Sequence, residues 1–107
     1  MTFLALETAH RACEQLRRPL SLIRHRDRKL HTQIRTAAAS VVLNLAEGQQ
    51  RQGQDRLHLY RIAAGSAAEL KSALRFAIAL GDLQDRDSRD ALDLLDQVVA
   101  MLWRITH

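Results

Sequence analysis

The chain has 107 residues, carries 16 Lys and Arg against 12 Asp and Glu, and is 47% hydrophobic but only 4% aromatic. That length suits one domain. A single cysteine excludes an internal disulfide scaffold and a Cys-rich zinc module, the apolar content excludes intrinsic disorder, and one Pro with four Gly argues against an all-β sandwich.

The first periodic segment runs from about Phe3 to Arg26. Leu6, Ala9, Cys13, Leu16, Leu20 and Ile23 step by three and four residues, the spacing of knobs-into-holes packing. Pro19 lies inside it and predicts a kink or break, because proline lacks a backbone donor and crowds the preceding turn. Asp27 is a good N-cap for the second segment, whose seam is Leu30, Ile34, Ala38, Val41, Leu45 and Gly48. This helix should fray near Gln52–Gly53.

The third segment opens with Asp55 as the expected cap. Its seam is Tyr60, Ala63, Ala67, Leu70, Leu74 and Ala77, and Gly81 follows where a helix C-terminus favours a left-handed residue. The fourth begins after the polar stretch Asp82–Ser88, with Asp85, Asp87 or Ser88 as cap. Its seam is Ala91, Leu95, Val98, Leu102 and Ile105. Four helices of similar length with short connections predict an all-α fold, an antiparallel up-down-up-down four-helix bundle forming a single domain over residues 1–107.

Apolar residues exceed these seams. Leu57, Ala64, Ala68 and Ala79 point away from the third seam, with Gly65 beside them, and Leu92, Leu94, Val99 and Met101 widen the fourth. A second apolar face predicts contact with another copy of the chain. On the second helix Gln33, Ser40, Asn44, Glu47 and Arg51 fall within about 60° of one another. Such a polar line either hydrogen-bonds to a neighbouring helix or meets a ligand or subunit.

These residues carry a resemblance. Gln33-Ile34-Arg35, Ala37-Ala38, Asn44-Leu45-Ala46-Glu47-Gly48 and Arg51, followed by Arg61 to Leu70 and Ala79-Leu80-Gly81, resemble the four helix bundle protein family. Its members are also called 23S rRNA intervening-sequence proteins. The likeness spans nearly the whole chain and is strongest from Asp27 to Leu83. Gln49-Gln50 and Pro19 depart from it mildly. The resemblance implies an antiparallel bundle similar to the accessory variability protein of diversity-generating retroelements. From that relative it implies a homopentameric ring with a basic surface that binds nucleic acid and protein. It carries no catalytic residues. Gln33, Asn44, Glu47, Gly48, Arg51, Gly65 and Ser66 match its hallmarks and are expected to be structural or subunit-contact residues. Glu47 would pair with a cation across a helix contact, and Gly48 would permit close approach.

Charge is uneven. Residues 1–53 hold nine Lys and Arg against four acids, while residues 54–107 hold seven against eight. Arg17, Arg18, Arg24, Arg26, Arg28 and Lys29 are opposed locally by Asp27 alone, and Arg35 follows on the same helix. These seven are the candidate contacts to an RNA or DNA backbone. The competing expectation pairs them with the six aspartates of Asp82–Asp96, in the same or a neighbouring subunit. No recognition-helix module stands out, and mostly seam-placed aromatics offer no platform for base stacking.

Catalytic signals are weak. Glu7–His10 and Asp55–His58 have the E-x-x-H and D-x-x-H spacing, but the further core glutamates of a di-iron bundle are not convincingly placed. Cys13 reads as a packing residue, and no phosphate-binding glycine loop is present. We expect a non-enzyme without metal or cofactor. The first residues lack a basic segment and meet Glu7 early, and no stretch approaches the ~20 uncharged residues of a membrane span. We therefore expect a cytoplasmic protein with no membrane role, whose partner is RNA, DNA or another protein.

Overall fold

The computed structural model describes residues 3–107, so the first two residues of the expected domain lie outside it. Five helices follow in order: α1 Leu4–Gln15, α2 Arg17–Ile23, α3 Arg28–Gln49, α4 Gly53–Ala79 and α5 Asp85–Thr106. α3 packs along α4, α4 along α5, and α5 along α1, while α1 and α2 together close the square against α3. The result is an antiparallel four-helix bundle, 42 × 22 × 21 Å, whose first arm is broken in two.

The break is at Leu16, three residues before Pro19. A continuous helix would set the proline ring against the Gln15 carbonyl and leave that acceptor without its donor. The chain restarts instead, and Pro19 falls in the first turn of α2, where a backbone N–H has no intrahelical partner anyway. Leu20 then donates to the Leu16 carbonyl at 2.9 Å.

The expected first seam is off by one residue at half of its positions, before the break as well as after it. Ala9, Leu16 and Ile23 are buried, but Leu6, Cys13 and Leu20 are only half-covered. Ala5, Thr8, Ala12 and Pro19 take the inner positions. Small side chains let α1 lie close to α5, and Thr8 satisfies its hydroxyl on the Leu4 carbonyl at 2.8 Å. The α3 and α4 seams are buried at every expected position. On α5, Ile105 is exposed and Thr106 is buried in its place, four residues beyond Leu102, whose carbonyl accepts its hydroxyl at 2.7 Å.

Asp27 caps α3, accepting the Leu30 N–H at 2.9 Å. Gly81 adopts φ +84°; its N–H reaches the Ile78 carbonyl and that of Asp82 the Ala77 carbonyl, a Schellman ending for α4. The other two caps differ from expectation. α4 starts after Gln52, which leaves Asp55 inside the first turn, where its charge faces the helix N-terminus favourably. α5 is capped by Gln84, and Asp87, three residues on, closes the box by accepting the Gln84 N–H at 2.8 Å.

Candidate nucleic-acid interface

The break and the Asp27 cap together make a short antiparallel pair, α2 and the first half of α3, at one end of the bundle. Arg17 and Arg24 are seven residues apart on one side of it, and Arg28 and Arg35 seven apart on the other. Seven residues are two helical turns, about 10.5 Å. Two hollows open between these helices. One is lined by Arg24, His25, Arg28, His31 and Thr32, the other by Arg17, Leu20, Ser21, Arg24, His31 and Arg35. They share Arg24 and His31, so they form one trough, and neither is lined by a carboxylate.

Four of the seven expected backbone contacts therefore meet in the trough: Arg17, Arg24, Arg28 and Arg35. Arg26 and Lys29 are exposed outside both hollows. Arg18 turns the other way and donates to Asp87 at 3.0 Å. It is the one member of the group in an ion pair among the described residues. The Gln84 N–H, ahead of the Arg18 guanidinium, holds the Asp87 carboxyl below the ordinary carboxylate range despite its burial. Pairing of the arginine stretch with the aspartate stretch within the subunit is thus one contact. Sequence reading missed His25 and His31. The signal was present as a seven-residue step from Arg24 to His31, but it crosses a turn and is not visible as a helical face.

The polar line on α3 splits. Ser40 and Ser66 share a hydrogen bond at 2.6 Å between α3 and α4, and Asn44 donates to the Ser40 carbonyl at 2.8 Å and to its hydroxyl at 3.1 Å. These three register α3 against α4. Glu47 instead pairs with Arg51 at 2.8 Å, one turn along the same exposed surface, which corrects the expected cross-helix pair. Gly48 does sit at a close approach: a β-carbon there would lie 2.5 Å from Cε1 of Tyr60. Gln33 is exposed, and Gly65 faces open space.

A family profile described as 23S rRNA-intervening sequence protein matches residues 3–104. The chain belongs to this family. No curated protein matches it. Among solved structures it is similar to a protein of unknown function from the S23 ribosomal protein family of Bacteroides thetaiotaomicron VPI-5482, with 19% identity, coverage of 95% of this chain and 94% of that one, and a TM-score of 0.79. That likeness shows the fold.

In this intervening-sequence family member the surplus apolar surface is only partly where the sequence suggested: Ala68 and Ala79 are exposed on α4 beside Gly65, whereas Leu57 and Ala64 are half-covered. Leu94 is buried, and Leu92, Val99 and Met101 pack on the core. Among the described residues the exposed large hydrophobic side chains are Leu22 on α2, Leu43 on α3 and Ile62, Phe76 and Leu80 along α4, with Leu4, Trp103 and Ile105 at the far end. Ile62, Phe76 and Leu80 lie within about 40° on the flank of α4 that turns to α3. Phe76 and Trp103 are therefore not seam residues; Trp103 stacks on His107, while Phe3 stacks on Tyr60 with centroids 5.3 Å apart.

Glu7, His10, Asp55 and His58 are all exposed, and no cluster of three or more metal-ligating side chains occurs among the described residues. Burial pushes the Cys13 thiol up, away from the thiolate a nucleophile requires. No helix among the described residues is long and apolar enough to cross a membrane.

Proposed function

We propose that the protein is a non-enzymatic helical scaffold that binds the phosphate backbone of RNA or DNA through the α2–α3 trough. The observation that carries this reading is the trough's lining: four arginines and no carboxylate. Guanidinium groups suit phosphate because they offer several donors in a fixed plane and stay charged at every working pH. Nothing in the trough resembles a device for reading bases, so binding is sequence-tolerant and strongly weakened by salt. The site of action is cytoplasmic in this reading.

The scaffold is also proposed to self-associate, as a ring of five by resemblance. Leu43, Ile62, Phe76 and Leu80 support this because they give the α3–α4 flank an apolar surface with no partner in the subunit. The same surface favours the second reading, an adaptor for another protein with no nucleic-acid role. Anisotropy of a labelled RNA at two salt concentrations, with native mass spectrometry of the same samples, tests both. Tight low-salt binding by an oligomer supports the first reading. An oligomer or heteromer indifferent to RNA supports the second.

A further inference from the structure

We infer that His25 and His31 are phosphate ligands in the trough, so that backbone binding takes up protons and strengthens as pH falls from 8 to 6. This rests on the reading of the trough as a phosphate site. His31 borders both hollows and His25 borders one, so a strand passing from the Arg28 end to the Arg35 end runs beside imidazole as well as guanidinium. Facing these rings are Arg17 and Arg24 from α2 and Arg28 and Arg35 from α3. The helices packed behind them, α1, α4 and α5, line neither hollow with any titratable side chain. Two carboxylates lie at the edges of these elements: Asp27, in the turn between His25 and Arg28, accepts the Leu30 N–H and keeps its charge, and Asp87 accepts from Arg18.

The physical consequence follows from the charges. With no carboxylate in the trough, the protonated form of either imidazole gains its counter-charge from a bound phosphate. Imidazole is the side chain whose unperturbed charge change lies between pH 5 and 8. Arginine supplies the constant part of the attraction, and histidine supplies the part that varies with pH. A phosphate beside a ring favours its protonated state, and by linkage protonation favours the phosphate.

The test is anisotropy of a 12-nucleotide polyuridine RNA carrying a pH-insensitive rhodamine, at constant ionic strength, from pH 8 to pH 6. The expected result is roughly three- to tenfold tighter binding at pH 6. His25→Gln with His31→Gln should reduce this pH dependence to less than twofold. His10→Gln with His58→Gln, on exposed surface away from the trough, should keep the full pH dependence. Circular dichroism at each pH confirms that the variants are folded. If binding does not depend on pH, or the dependence survives in the His25 and His31 variant, the inference fails and the backbone reading stands. If no RNA binds at low salt at either pH, both fail together.

Discussion

Asp87 joins two functions at one carboxylate: one oxygen accepts the Arg18 guanidinium at 3.0 Å, and the other accepts the Gln84 N–H at 2.8 Å. The carboxylate is 6% exposed while Arg18 is 66% exposed. The pair ties the first arm of the bundle to the start of α5. It also removes Arg18 from the cations available to the trough.

The first prediction concerns acid. Asp87 titrates below its ordinary value in the folded chain. Its stabilising contribution is therefore present above the unfolded pKa, and is lost as pH falls through the lower folded one. Asp87→Asn should lower Tm at pH 7, and the gap from the parent protein should close in strongly acidic buffer. Arg18→Ala should lower Tm less, because the Gln84 N–H, the larger influence, is retained. Thermal melts followed by circular dichroism between pH 2 and pH 7 measure this, and a gap that stays constant with pH would contradict it.

Gly48→Ala should destabilise the bundle in urea titration by up to about 2 kcal/mol net, from an overpacking cost of about 1–3 kcal/mol. A β-carbon at 2.5 Å from the Tyr60 ring must displace that ring or the α3–α4 contact. The gain in helix propensity from removing glycine, about 1 kcal/mol, opposes this and does not offset it. Pairing the change with Tyr60→Leu should recover part of the loss.

Arg24→Gln and Arg28→Gln should each weaken RNA binding uniformly across sequences. Each should reduce the slope of log affinity against log salt by about one. Arg18→Gln, whose side chain faces Asp87, should change neither quantity appreciably.

On the apolar flank, Leu43→Glu with Phe76→Glu should disperse the proposed oligomer in native mass spectrometry. Both side chains are more than half exposed in the subunit, so the cost to the subunit's own stability should stay within about 0.5 kcal/mol per site. An unchanged oligomer would remove this flank as the contact surface.

The parts of the fold that local chemistry determines were legible. On α3 and α4 the apolar step is regular over many turns, so phase and burial agree at every expected position. Asp27 and Gly81 were legible because a cap and a left-handed glycine act within a few residues. The first arm was misphased by one residue at Leu6, Cys13 and Leu20 because larger side chains were expected inside, where Ala5, Ala12 and Pro19 sit; the buried positions keep one helical step straight through the break. The caps of α4 and α5 went to Gln52 and Gln84, residues with weak cap preference, while the aspartates nearby act from inside the first turn. The arginine stretch was visible as composition. Which of its members point the same way was not, since that depends on how α2 folds back on α3.

The break at Leu16 also divides the molecule by stability. α2 has seven residues and only Pro19 and Ile23 fully buried, whereas α3 and α4 are long and lock together through two complete seams. Opening energy is set by such local burial. Amide exchange in α2 should therefore outrun that in the α3–α4 pair, and the arginine-bearing wall of the trough is the unit that opens first. A strand held across α2 and α3 would close it, making protection of the α2 amides a direct record of occupancy.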